Sequence, residues 1–306
     1  MKGSKATVLS FAEKCKNILA SNWQGHLNTI KADAKGSKED IYTSKVKYIL
    51  RRGKPYIWVP EKELHNVNTI IDERGSFSVT SPFPGALASL FRSIQKLPAR
   101  VALTGDVLPH KDEKSAAECL EEVILSEQKT ISEFSYTVSG VLSSSDVYNT
   151  SRSENLKLLL DGDEKYTIYK FNPRSCIYID GNGGTHEVNL EDMDASKADL
   201  LAPFSAKLID GINQSEARRR ALMLFCLTLL KANVKDAYMV SMDRKGFNVL
   251  GMIPSPALKD GLGQYQWKEF RLKLKEEARD VEKFCSQLVE MEEEAVKNVS
   301  SFSGLG

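Results

Sequence analysis

The chain has 306 residues, 42% apolar and 27% charged, which is ordinary globular composition and, by length, suggests two domains. Its longest apolar stretch, residues 221–230, falls well short of the roughly eighteen needed to span a bilayer. A net charge of +1 hides an asymmetry, since residues 1–110 carry 17 Lys/Arg against 9 Asp/Glu and residues 111–306 carry 25 against 32. A basic first part suits an anionic ligand such as a phosphate-bearing cofactor, or RNA, and equally suits solvated strand faces. No secretory leader is visible, and the Met-Lys-Gly-Ser start reads as a mature or trimmed chain. The five cysteines, Cys15, Cys119, Cys176, Cys226 and Cys285, are far apart, odd in number and without a CxxC pair. That spacing disfavours a disulfide framework and a zinc site, so free thiols in a soluble protein of a reducing compartment, with no metal, are expected.

Ser10-Phe11-Ala12-Glu13 is a capping box, and Phe11, Cys15, Ile18 and Leu19 follow at helical spacing. A short strand is predicted at 26–31, then a polar loop at 33–40. In 42–50, Val46, Tyr48 and Leu50 alternate with Lys45, Lys47 and Ile49, the pattern of a strand with one buried face. Arg51-Arg52-Gly53-Lys54 turns the chain into a partner strand at 55–59. Further strands are predicted at 76–80, 100–107, 134–142, 166–171 and 176–179, with a helix at 114–125 whose Ala116, Ala117, Leu120, Val123 and Ile124 share a face. Many short strands with few helices predict a closed antiparallel barrel.

The remainder predicts a small α+β domain. Residues 204–230 are helical with a break near Gly211–Ser215, because Asn213 and Ser215 are good N-caps. Two apolar runs then flank Asp243-Arg244-Lys245-Gly246, a hairpin in which the glycine supplies a positive-φ position. A Pro/Gly-rich loop at 251–266, a strand at 268–274 and a closing helix at 276–296 complete the chain. The overall expectation is an α+β fold, with a barrel over residues 1–195 and an α+β domain over 196–306. Insertions are expected at about 80–99, carrying an amphipathic helix, and at about 143–165.

Met242-Asp243-Arg244-Lys245-Gly246-Phe247 running straight into a strand resembles the domain that follows the barrel in HugZ-type haem-degrading proteins and in plant glutamyl-tRNA reductase-binding proteins. Both lie in the FMN-binding split-barrel superfamily, which includes pyridoxamine 5′-phosphate oxidase. His65-x-x-Asn68 before Ser76, and Arg100-Val-Ala-Leu-Thr-Gly105 before an acidic helix, resemble successive barrel segments of that superfamily. The likeness covers roughly 8–180 and 204–295. It implies a homodimer with a ligand groove between subunits, and FMN or haem as the cofactor. Its cofactor contacts map onto Ser44, Lys45, Lys47, Lys62, His65 and Asn68.

Two departures bear on function. The haem-ligating histidine of HugZ-type proteins lies in the C-terminal domain, where this chain reads Asn213-Gln214-Ser215-Glu216 and has no histidine after His186. Acidic residues also flank Lys62, in Glu61-Lys62-Glu63, where a phosphate needs converging donors. These departures favour a non-catalytic binding or regulatory protein with a protein partner. By resemblance it would act in tetrapyrrole metabolism in the chloroplast stroma. An FMN-dependent oxidoreductase and a haem-binding or haem-degrading protein remain the alternatives, with catalytic residues unassigned. Nucleic acid and membrane are not expected partners. Gly181-Asn182-Gly183-Gly184 lacks the Lys-Ser/Thr of a phosphate loop and reads as a flexible hairpin, while Arg218-Arg219-Arg220 reads as a solvated helix face or an acidic-partner contact.

Overall fold

The computed structural model describes residues 8–33, 36–82, 85–142, 152–255 and 265–302. The chain's first four residues, the start of the first insertion at 83–84, much of the second at 143–151 and most of the 251–266 loop lie outside them. Helix α1 (Phe11–Ser21) begins on the expected capping box: Glu13 N–H donates to Ser10 Oγ at 3.2 Å, and Ser10 N–H to Glu13 Oε2 at 2.7 Å. Strands β1 (Gln24–Asp33) and β2 (Gly36–Arg51) pair out to Asp33 opposite Gly36, so of the polar stretch expected as a loop residue 33 and residues 36–40 are strand, and 34–35 lie outside the described residues. Polar side chains do not oppose this, because each added pair satisfies backbone donors and acceptors. Strand β3 (Lys54–Pro60) returns along β2, helix α2 (His65–Ile71) crosses over, and β4 (Arg74–Thr80) and β5 (Arg100–Pro109) follow, with helix α3 (Gly85–Ser93) between them.

Helices α4 (Glu113–Ser132), α5 (Tyr136–Leu142) and α6 (Arg152–Lys157) lead to β6 (Tyr166–Ile179), then β7 (Thr185–Val188) and α7 (Leu190–Ala195). The sheet order is β3-β2-β1-β4-β5-β6-β7, and β3 also pairs with β6. That pairing closes a six-stranded antiparallel barrel around Leu27, Tyr48, Ile57, Phe77, Leu103 and Phe171. The two strands expected at 166–171 and 176–179 are one bent strand. Its bend sits at an irregularity opposite Gly105, where a Cβ would lie 2.0 Å from Asn172 O.

Helices α8 (Ser205–Gln214) and α9 (Glu216–Leu230) break at Ser215 as expected. They cover a separate sheet, order β10-β9-β8, made of β8 (Ala237–Asp243), β9 (Gly246–Pro254) and β10 (Tyr265–Lys273), and α10 (Val281–Phe302) packs beside α9 on the same face, with Phe225 and Phe284 both against Phe247. The segment 134–142, expected as a strand, is helix α5. Its Val138 and Val141 are buried against Phe225, Phe247 and Phe284 of the C-terminal core, and Ser135 is held by Glu282 through N–H (2.7 Å) and Oγ (2.6 Å). Packing against helices decides the matter over β-branched content. Leu87 and Phe91 of α3 join the same core. By contrast α4 and α6 lie on the outside of the barrel, with Leu120, Ile124 and Leu156 against Ile49, Trp58 and Ile168.

The five cysteines are free thiols. Four are buried, and Cys15 and Cys176 place their sulfurs 3.8 Å apart in the barrel core. No helix among the described residues is long and apolar enough to cross a membrane.

Gly246 shows why the hairpin turn has its sequence. It opens β9 at φ 158°, and a Cβ there would meet Leu272 O of the third strand at 2.1 Å. Close approach of β10 therefore demands glycine as much as the turn does. A Gly246→Ala substitution is expected to cost about 3 kcal/mol or more in urea denaturation. A loss below about 1 kcal/mol would mean that β10 can retreat freely.

Candidate functional site

The segment that the sequence marked as cofactor-binding folds into a closed polar network at one end of the barrel. Ala32 N–H donates to Asn68 Oδ1 at 3.0 Å, leaving Asn68 Nδ2 to donate to Thr29 Oγ1 at 2.9 Å. Thr29 then has its own proton for His65 Nδ1 at 2.8 Å, and His65 Nε2–H donates to Ser44 Oγ at 3.0 Å. The imidazole is assigned from this network as the neutral Nε2–H tautomer. Thr69 and Tyr169 continue the chain of bonds, Thr69 Oγ1 to His65 O at 2.9 Å and Tyr169 OH to Asn66 Oδ1 at 2.9 Å. His65 is fully buried and Asn68 nearly so. Burial lowers the His65 pKa from its ordinary 6.5 to about 4, although the nearby Glu63 charge works the other way.

The six expected cofactor contacts therefore divide. Alternation along β2 turns Ser44 inward with the core residues Val46 and Tyr48, and turns Lys45 and Lys47 outward with Ile49. Lys62 is exposed in the turn before α2, between Glu61 and Glu63, and Glu63 accepts from Tyr42 OH at 2.5 Å. His65 is bonded at both ring nitrogens, to Thr29 and Ser44, and Asn68 is bonded to Thr29 and to the Ala32 backbone. The structure thus brings Ser44, His65 and Asn68 together and leaves Lys45, Lys47 and Lys62 apart from them. Thr29 and Tyr169, which complete the network, were not singled out in the sequence. An inward threonine in an otherwise apolar strand face was the available signal for the first.

Outside the barrel a row of polar side chains crosses five strands in register: Thr43, Asn28, Ser76, Thr104 and Ser175. Thr43 Oγ1 donates to Asn28 Oδ1 at 2.7 Å, Asn28 Nδ2 donates to Ser76 Oγ at 2.8 Å, and Thr104 and Ser175 hydroxyls meet at 2.5 Å. Lys45 sits in the next row, opposite His26, with Ser78, Ala102 and Ile177 beyond. The Thr43–Ser175 row is made of short polar side chains, with Lys45 in the row beside it.

The Met-Asp-Arg turn ties the second sheet to α1. Arg244 donates through Nη1 to Asp199 Oδ1 at 2.5 Å and through its backbone N–H to Asp199 Oδ2 at 2.9 Å, and it pairs with Glu13 of α1 through Nη2. Asn17 of α1 holds the same aspartate, donating to Oδ2 at 3.1 Å and accepting from Asp199 N–H at 2.8 Å. Burial works against the Arg244 charge, but the bonds and charges of Glu13 and Asp199 outweigh it and raise its pKa. Asn213, where HugZ-type proteins carry their ligand motif, instead binds the Met239 backbone at both N–H and C=O, each at 2.8 Å, and Ser215 caps α9. Among the described residues no group of three or more His, Cys, Asp or Glu is placed to hold a metal.

Two outcomes are expected from these contacts. Arg244→Ala leaves the Asp199 carboxylate, 1% exposed, without its cation. It should cost about 2–3 kcal/mol in chemical denaturation and speed proteolysis between the domains. For His65, the unfolded chain gains a proton below about pH 6.5 and the folded chain only near 4. In that window the unfolded state binds more protons, so stability falls as pH falls, by on the order of 3 kcal/mol from this group across the window. His65→Gln should flatten the slope of stability against pH, and an unchanged slope would assign it to another group.

No protein-family model matches the sequence, and no curated protein matches it. Among solved structures the chain is similar to a haem-binding protein from Mycobacterium smegmatis, with 20% identity, a TM-score of 0.55, and coverage of 95% of this chain and 99% of that one. It is also similar to a protein of unknown function from Agrobacterium tumefaciens, with 14% identity, a TM-score of 0.39, and coverage of 94% and 100%. A third likeness is to a pyridoxinephosphate oxidase family protein from Clostridium acetobutylicum, with 9% identity, a TM-score of 0.36, and coverage of 60% and 96%. The likeness to the mycobacterial protein is one of fold. With its antiparallel barrel closed by β3 and β6 and followed by a small three-stranded α+β unit, the chain has a split-barrel fold shared with the mycobacterial protein.

Proposed function

We propose that this chain is a non-catalytic split-barrel binding protein that acts as a homodimer on a protein partner. One observation carries this reading: both ring nitrogens of His65 are engaged, by Thr29 and Ser44, and Asn68 is held by Thr29 and the Ala32 backbone. A buried network with both ring nitrogens engaged stiffens the barrel end and offers neither a general base nor a metal ligand. The face we assign to a second copy is the outer row from Thr43 to Ser175, whose short side chains let another sheet approach closely. A role in tetrapyrrole metabolism in a plastid belongs to this proposal on the strength of the sequence resemblance alone.

A second reading places FMN or haem on that same outer face. It takes support from Lys45 and Lys47 standing beside the hydroxyl row, and from the haem-binding description of the mycobacterial protein. Chemistry there would need an anion-binding patch between two subunits, with the lysines as its charge.

Visible absorbance of the purified protein, alone and after titration with FMN and then haemin, separates the readings. The binding protein should give no flavin bands and no stoichiometric Soret band, and should sediment as a dimer. A saturable spectrum lost in the Lys45→Ala/Lys47→Ala double variant would establish the second reading in its place.

A further inference from the structure

We propose that Cys15 and Cys176 are a redox pair that reacts with hydrogen peroxide and closes to a disulfide. Cys15 stands on α1, and Cys176 lies 161 residues later on the second half of β6. Folding brings their sulfurs to 3.8 Å inside the barrel core, with the two residues 0% and 2% exposed. A disulfide needs two cysteines already side by side, and here no backbone rearrangement is required to put them there.

The residue after Cys15 marks the pair off from ordinary buried thiols. Lys16 is 4% exposed, and its ammonium donates to Gly53 O at 3.3 Å. It has no carboxylate within ion-pair distance among the described residues, and Asp194 acts on it only from farther off. A buried cation is costly unless a negative charge answers it. The Cys176 thiolate is that charge. The hydrogen bond between the sulfurs and the Lys16 charge hold the Cys176 thiol below its ordinary pKa although burial opposes them, while the same bond and burial push Cys15 up. Cys226 and Cys285 are buried as well, but there burial holds the thiols high, at about 11 and about 12. The pair therefore has a nucleophile in Cys176 and a thiol in reserve in Cys15.

The chemistry closes without a further reagent. The Cys176 thiolate attacks one oxygen of the peroxide, the O–O bond breaks, and the other oxygen leaves as hydroxide and takes a proton to become water. Cys176 is then a sulfenic acid. The Cys15 sulfur attacks the Cys176 sulfur, the S–O bond breaks, and the hydroxyl leaves with the Cys15 proton as a second water. Two electrons pass from the thiols to the peroxide. Enclosure selects the oxidant, since a small uncharged molecule can enter where a bulky charged disulfide cannot. Cys15 also lies between Glu13 and Asn17, the α1 residues that hold Arg244 and Asp199. Closing the bond draws that stretch of helix toward β6, so oxidation reaches the contact between α1 and the second sheet.

The test treats the reduced full chain with hydrogen peroxide and reads the products by intact mass and non-reducing peptide mapping. The chain should lose two hydrogens and yield a cross-linked peptide joining Cys15 to Cys176, while Cys119, the most accessible of the five thiols, stays free. Glutathione disulfide should give no cross-link. Cys15→Ser should stop at the sulfenic acid and label at Cys176 with dimedone, and Lys16→Met should slow the cross-link about tenfold, both with the fold intact by circular dichroism. No cross-link in the unaltered chain, oxidation of Cys119 ahead of the pair, equal reaction with glutathione disulfide, or a rate unchanged in Lys16→Met would each overturn the proposal.

Discussion

The contact between Arg244 and Asp199 holds the rest of the arrangement in place. A carboxylate that is 1% exposed is tolerable only if its charge is met, and Asp199 is met from two directions. Arg244 comes from the hairpin of the C-terminal sheet, and Asn17 comes from the helix that leans on the barrel. The same guanidinium reaches Glu13, which is also the reciprocal residue of the α1 capping box. One side chain therefore ties the start of the first helix to the turn of the second sheet.

Helices between the barrel strands reinforce that joint. Helices α3 and α5 interrupt the barrel in sequence but bury Leu87, Phe91, Val138 and Val141 in the C-terminal core. The barrel thus contributes apolar surface to its neighbour, and separating the two would expose it at a cost of about 25 cal/mol per Å². Helices α4 and α6 cover the opposite side, over β2, β3 and β6. What stays open on the barrel is the hydroxyl row on β2, β1, β4, β5 and β6.

The polar network at the barrel end shows how a motif and its role come apart. His65-x-x-Asn68 is present in the sequence and folds at the start of a helix, as its spacing suggests. Its chemistry is set by what faces it. Thr29 and Ser44, from two different strands, take both ring nitrogens, and burial keeps the ring neutral. Asn213 behaves alike: it lies where a ligand motif was sought and is consumed by the Met239 backbone.

Local signals determined much of the fold. The capping box at Ser10, the alternation of residues 45–50, the helix break at Ser215 and the Asp243–Gly246 turn each depend on neighbours in the chain, and each stands where it was read. The tertiary structure alone decided three things. Residues 134–142 became a helix because the C-terminal core needed Val138 and Val141 on one face, over the strand preference of their side chains. The β6 strand ran unbroken because β5 and β7 pair with its second half. The six residues expected at one cofactor site were divided between the inside and the outside of the barrel, although strand alternation was legible. Which face of β2 meets α2 depends on barrel closure between β3 and β6, more than a hundred residues apart, and no local pattern in the chain encodes that pairing.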